Sequence, residues 1–328
     1  MITHLKTAVA AQTVSSEREA VAETVRGIVA DIRNRGDVAV AEYSAKFDSW
    51  SPESFRLTDE QVAGFIDTVP AQTLADIETV QAQVRRFATA QRESLTDFEI
   101  ETLPGVHLGQ KNIPISAAGA YIPGGRYPLT ASAHMTNVTA KVAGVQRVAA
   151  CTPPIHGVVP AATIAAMSMA GADEIYVLGG VQAVVSMAIG TELIGKVDLI
   201  AGPGNAYVAE AKKQLFGEVG IDLFAGPTEV LIVADDSADP FVVAVDLLSQ
   251  AEHGPDSPAV LITTSTELAA RTIEHIDALL VDMPTRDFAA PAWRDHGQVL
   301  VVGDLDEAFA VADHFASEHV QVLTRQPR

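Results

Sequence analysis

Two short clusters in this sequence combine side chains able to bind a metal or move a proton. Gln250 and His253 stand three residues apart near the end of Asp235 to Ser257, a segment that reads as one helix with its start and stop signals. At that spacing both side chains lie on one face of the last turn. A glutamine carbonyl beside an imidazole can ligate a divalent ion such as zinc, although glutamine is an uncommon ligand. The same pair also reads as a polar last turn, with His253 interacting with the helix dipole. The second cluster is Glu318-His319, a carboxylate able to activate water next to an imidazole able to carry a proton. Such neighbours are common by chance, so the pair alone assigns no chemistry.

Three glycine-bearing loops join these clusters: Tyr121-Ile122-Pro123-Gly124-Gly125-Arg126-Tyr127-Pro128, Gly179-Gly180-Val181-Gln182 and Gly202-Pro203-Gly204-Asn205. Each follows the carboxyl end of an expected strand, where open α/β sheets bind ligands. The last two lead into helices whose first N–H groups can hold an anion such as a pyrophosphate. None matches G-x-G-x-x-G, and tight strand-to-helix turns require the same glycines. Cys151 closes the apolar run Val148-Ala149-Ala150-Cys151 and reads as a buried strand-end thiol rather than a nucleophile.

The elements that must position these groups follow from periodicity. Val21, Val25, Ile28, Val29 and Ile32 give a helix over Glu17–Arg33, and Val38–Phe47, Asp59–Thr68 and Pro70–Glu93 give three more. Pro104 opens an extended section through Ile115. Beyond residue 117, strands of four to seven apolar residues alternate with helices, the mark of βαβ units and a parallel sheet. In the helix read between Asp235 and Ser257, Asp236 or Ser237 is the expected cap, and Val242, Val245, Leu248 and, one turn on, Ala251 or Glu252 the expected buried stripe.

Composition narrows the class. With 328 residues and 48% hydrophobic content, the chain can build more than one core, and two domains are expected. A net charge of −20 argues against a nucleic-acid partner. No run has the length of a membrane span, the first residues lack signal-peptide order, and a single cysteine excludes an internal disulfide, which together read as cytoplasmic.

The motifs fall into one pattern. Arg35-Gly36-Asp37-Val38-Ala39-Val40-Ala41-Glu42-Tyr43, Gly119-Ala120-Tyr121-Ile122-Pro123-Gly124-Gly125, Gly179 to Ala183, Gly202-Pro203-Gly204-Asn205-Ala206, Ala225-Gly226-Pro227-Thr228-Glu229-Val230, Leu247 to Ser257 and Glu318-His319 together resemble the histidinol dehydrogenase family, in family order over nearly the whole chain. The resemblance implies a zinc-dependent, NAD-linked oxidation of a small primary alcohol to a carboxylate through an aldehyde. By position, Gln250 and His253 resemble two of four zinc ligands. Glu318 and His319 resemble the catalytic pair, with His319 taking the alcohol proton and Glu318 activating water against the aldehyde. Tyr121, Gln182 and Asn205 resemble cofactor contacts. Thr228, Gln250, His253 and His319 resemble substrate-binding positions, and Thr228 keeps the hydroxyl of the family's serine. The implied fold is two Rossmann-like parallel-sheet domains with an N-terminal helical segment, in an intertwined homodimer. The first domain would take residues 1–120 plus 230–328 and the second 121–229.

Two departures accompany the resemblance. The sequence stops at Arg328, where family members continue into a small C-terminal domain with the other two zinc ligands. The expectations are therefore a fragment of a longer enzyme, or an inactive NAD-binding scaffold of the same fold. In addition, Ser132-Ala133-His134-Met135-Thr136 and Ala316-Ser317-Glu318-His319-Val320-Gln321-Val322 resemble the branch that oxidises sulfopropanediol to sulfolactate, rather than L-histidinol to L-histidine. Arg126 and His134 are then candidates to meet a sulfonate, though either can equally be structural.

Overall fold

The computed structural model describes residues 2–9, 15–124, 129–223 and 228–327. A strand, β1 (Thr3–Lys6), precedes four helices, α1 (Ser15–Arg35), α2 (Asp37–Asp48), α3 (Asp59–Asp67) and α4 (Ala71–Glu93). A hairpin of β2 (Phe98–Leu103) and β3 (Val106–Gln110) follows, with only β3 inside the section expected to be extended from Pro104 and β2 already extended before it. The expected alternation then begins with β4 (Ala117–Tyr121), α5 (Thr130–Ala133), a π-helical turn (His134–Val138), α6 (Thr139–Ala143) and β5 (Arg147–Thr152). It continues through α7 (Ala161–Met169), β6 (Glu174–Val177), α8 (Gly180–Ile189), β7 (Leu199–Ala201), α9 (Ala206–Leu215) and β8 (Gly220–Ile221). The last section holds β9 (Val230–Ala234), α10 (Pro240–Ala251), β10 (Ala259–Thr263), α11 (Thr266–Asp282), α12 (Arg286–His296), β11 (Gly297–Val301), α13 (Leu305–Phe315) and β12 (His319–Leu323). No helix among the described residues is long and apolar enough to cross a membrane.

The chain divides into two compact units, Val14–Phe224 and Met1–Thr13 with Ala225–Arg328. The Val14–Phe224 unit is built on a parallel sheet of order β6-β5-β4-β7-β8. The chain runs outward from β4 to β5 and β6, then returns to place β7 on the other side of β4. That reversal makes a topological switch point at the carboxyl ends of β4 and β7. β4 is buried throughout, as an apolar run covered on two faces must be. One face is covered by α1, α2, α8 and α9 and the other by α3, α4 and α7.

The N-terminal helices therefore pack on this sheet, whereas the sequence expectation groups residues 1–120 with the C-terminal block. Val25, Ile28, Val29 and Ile32 of α1 join the same core as Val184, Val185 and Ile200. Each such side chain contributes about 1.5–3 kcal/mol when fully buried. Periodicity reveals that α1 has an apolar face; it does not reveal which sheet that face covers.

The second unit carries a sheet of order β1-β11-β10-β9-β12, parallel except for β1. α10, α11 and α12 cover one face, and α13 packs on the other. In α10 the N-cap is Asp239, which accepts the Phe241 N–H at 2.8 Å with Pro240 following, so the cap lies beyond Asp236 and Ser237. The buried stripe is Val243, Ala244, Leu247, Leu248 and Ala251, while Val242 and Val245 are 45% and 39% exposed. The expected stripe is one residue out of phase on its N-terminal side, because every candidate position there is apolar.

One glycine is fixed by the sheet. Gly202 has φ +135°, and a Cβ there would lie 1.9 Å from the Tyr121 carbonyl oxygen. Gly202→Ala is expected to lower the unfolding free energy in urea by about 2–4 kcal/mol, and a loss under about 0.5 kcal/mol would contradict the close approach.

Candidate active site

Parallel pairing brings the expected catalytic pair beside the start of β9. His319 is in register with Val230, so Glu318-His319 and Thr228-Glu229 lie side by side at the amino-terminal edge of their sheet. α10 runs back from the carboxyl end of β9 and delivers its own C-terminus to this edge, where Gln250 Nε2 donates to Thr228 Oγ1. The N–H of His253 donates to the Gln250 carbonyl at 3.2 Å, and Glu252, between them, accepts from the Thr285 hydroxyl at 2.6 Å. Four expected positions, Thr228, Gln250, Glu318 and His319, thus gather at one edge, and His253 follows on the same exposed turn.

Glu229 organises the pair, a role the spacing does not reveal. Its carboxylate accepts the Glu318 backbone N–H at 3.1 Å, and its backbone carbonyl lies 3.0 Å from His319 Nδ1. A carbonyl can only accept, so the neutral His319 ring carries its proton on Nδ1 and presents a lone pair at Nε2. Glu318 Oε2 stands 3.6 Å from the same Nδ1. Ala316, which ends α13 immediately before this segment, adopts φ 51° and ψ 42°, a left-handed conformation unusual for a residue with a Cβ.

The donor set for a metal is incomplete here. With Gln250 Nε2 committed to Thr228, its Oε1 is the amide atom left to ligate, and His253 adds an imidazole. Among the described residues no group of three or more His, Cys, Asp or Glu could hold a metal ion. These two donors do not close a tetrahedral zinc site by themselves.

The expected cofactor residues all lie in the Val14–Phe224 unit, around its switch point. Tyr121 ends β4 with its ring buried, and its hydroxyl accepts the Gly180 N–H at 3.0 Å, tying β4 to the first residue of α8. Burial raises its phenol pKa. Gln182 is fully buried in the first turn of α8; Nε2 donates to Asp48 at 3.0 Å, and Oε1 has no hydrogen-bond partner among the described residues. Burial pushes the Asp48 carboxyl up, against the opposing effect of the Gln182 bond. Asn205 caps α9, its Oδ1 accepting the N–H groups of Tyr207 and Val208 at 3.1 Å each. A buried orphan acceptor and an exposed helix start at the switch point suit a dinucleotide. Cys151 is fully buried with its thiol pKa pushed up, so it is inert.

The model of the histidinol dehydrogenase family matches residues 11–328. A histidinol dehydrogenase homolog of Shouchella clausii is 59% identical over 94% of this chain and 72% of that protein. The sulfopropanediol 3-dehydrogenase of Ruegeria pomeroyi is 48% identical over 96% of this chain and 73% of its own length. A crystal structure of histidinol dehydrogenase from Elizabethkingia anophelis aligns with a TM-score of 0.85 at 33% identity, covering 97% of this chain and 71% of that one. The chain spans between 62% and 73% of the length of the curated relatives it matches.

Of the two sulfonate candidates, Arg126 lies outside the described residues. His134 is 4% exposed at the start of the π-helical turn, and Gln81 Nε2 lies 3.2 Å from its Nδ1 while donating to the Ala166 carbonyl at 2.9 Å. An amide N–H can only donate, so Nδ1 accepts. Burial pushes the imidazole pKa down, which makes His134 a neutral packing group rather than a cation. An unfolded chain would take up a proton that the folded ring refuses. The stability from the neutral ring is therefore complete above the unfolded pKa of 6.5 and is lost as pH falls below it. Between pH 6 and 5 the wild type should lose stability faster than His134→Gln, by up to about 1.4 kcal/mol per pH unit. Equal slopes in urea titrations at the two pH values would remove this assignment.

Proposed function

Because this chain belongs to the histidinol dehydrogenase family, we propose that it carries out the oxidation of a primary alcohol to a carboxylate through an aldehyde, with NAD as cofactor. The observation that carries this reading is the free Nε2 of His319 beside Glu318, fixed by Glu229 at an edge shared with Thr228 and Gln250. NAD supplies the hydride acceptor, once for each of two oxidations. His319 Nε2 takes the hydroxyl proton as the alcohol carbon gives up its hydride. Glu318 then takes a proton from water as the oxygen adds to the aldehyde carbon, and the His319 imidazolium gives its proton to the former aldehyde oxygen. His319, returned to its neutral form, removes the hydroxyl proton of the resulting hydrate as the second hydride leaves. Thr228, whose oxygen already accepts from Gln250, has its own O–H left to donate to substrate.

Tyr121, Gln182 and Asn205 are the proposed cofactor residues. Asn205 Nδ2 and the orphan Gln182 Oε1 supply a donor and an acceptor, and Tyr121 acts through the α8 turn it holds. Gln250 and His253 are the groups proposed to face a zinc ion, whose closure requires donors beyond them. The kinship with a sulfopropanediol 3-dehydrogenase supports that alcohol, alongside L-histidinol, as the first to offer. A homodimer is part of the same proposal: Phe98, Ile100, Leu103, Val106 and Leu108 of the β2–β3 hairpin are all exposed, an apolar surface suited to a second copy. A monomeric mass by light scattering would remove the dimer.

The test is NADH formation with zinc present and each alcohol offered separately. His319→Asn should lower kcat by about 10²–10⁴. Glu318→Gln should stall at the aldehyde, so NADH per alcohol consumed falls from two to one. NAD binding without reduction of NAD by either alcohol would favour the scaffold reading instead.

A further inference from the structure

A charged pair at the β7–α9 turn takes no part in the chemistry proposed above. Lys212 lies on the buried face of α9, with its side chain 5% exposed, and is ion-paired with Asp222, which follows β8. The two side chains converge on one residue. Lys212 Nζ donates to the Gly202 carbonyl at 3.0 Å, and Asp222 Oδ2 accepts the Gly202 N–H at 2.7 Å. The last ladder bond between these strands is Asp222 N–H to the Ile200 carbonyl at 3.2 Å. At Gly202 the sheet has ended, and the two side chains stand in for the missing rung.

This is a costly way to end a strand. The Lys212 ammonium is buried while Asp222 remains part-exposed at 34%, and burying an ammonium is offset only by close pairing, so the pair is weak support for stability compared with packed apolar groups. What the pair provides is geometry, because it fixes the N–H and C=O of a residue whose φ of +135° lies against the Tyr121 carbonyl. Two residues later Gly204 packs on Val208, where a Cβ would come within 2.3 Å, and Asn205 caps α9. The turn is thus pinned at its start by Lys212 and Asp222 and at its end by Asn205. Pro203 to Tyr207 stay exposed at the carboxyl end of β7, next to β4.

We infer that Lys212 and Asp222 are positioning residues for the dinucleotide: by clamping Gly202 they fix the turn that presents Asn205 and the start of α9. This rests on the reading that NAD binds at the β4–β7 switch point.

The experiment compares NAD binding by calorimetry for the wild type, Lys212→Met and Asp222→Asn, with folding checked by circular dichroism and cooperative melting. Folded Lys212→Met should bind NAD about tenfold more weakly, the size of one lost hydrogen bond. Asp222→Asn keeps an acceptor for the Gly202 N–H and should lose less. Hydrogen exchange adds a readout that lowered stability alone would not move: NAD should slow exchange at residues 204–206 in the wild type and fail to do so in Lys212→Met. If the wild type binds NAD and the folded variants bind equally well, the positioning role is overturned. If the wild type binds no NAD, the cofactor reading fails first and takes this role with it. If Lys212→Met does not fold, Asp222→Asn decides, and if neither folds, the pair is a stability element and the positioning role falls.

Discussion

Sliding β12 by one residue along β9 would turn the His319 ring to the opposite face of the sheet, because strand side chains alternate. The bond from Nδ1 to the Glu229 carbonyl would go with it, and so would the tautomer that leaves Nε2 able to accept a proton. The parallel register that pairs His319 with Val230 is thus the constraint on which the candidate chemistry rests. It brings His319 onto Glu229, 90 positions away in the chain. It is held by continued pairing to Leu323 and Ala234 and by Ala308 and Ala312 of α13 packing on Leu231 and Val233.

The two units use opposite ends of their sheets. In the Val14–Phe224 unit the expected cofactor residues lie at the carboxyl ends of β4, β6 and β7, as switch-point logic requires. In the other unit the candidate groups collect at the amino-terminal edge, where α10 comes back and α13 hands over to β12. That edge suits a cation, since α10 points the negative end of its dipole at it and carries Gln250 and His253 there. Strand-end loops bring backbone N–H groups; a returning helix end brings carbonyls.

Much of this was legible in the sequence, and what was not has physical causes. The α/β alternation and most strands follow from periodicity, while Gln250, His253, Glu318 and His319 stand as candidates from spacing and family resemblance. The side of the fold taken by α1 does not, because an apolar stripe fits any apolar sheet. The phase of the α10 stripe was obscured by a run of apolar residues, and α12 by Pro291 inside it. Glu229 escaped notice because half of its contribution comes from a backbone carbonyl, which every residue has. Lys212 and Asp222 escaped it because a lysine on a helix and an aspartate in a loop ordinarily face water. The burial of Lys212 against Asp222 appears only when β7, β8 and α9 are placed together.

The left-handed alanine at the end of α13 has one further consequence. Glu318 and His319 leave the helix along a direction set by the torsions of Ala316, two residues before the pair. A side-chain rotation would move one group and spoil their spacing. Because β12 pairing and Glu229 hold that pair to β9, a change at this single backbone pivot would re-aim α13 and leave carboxylate and imidazole with their mutual geometry intact.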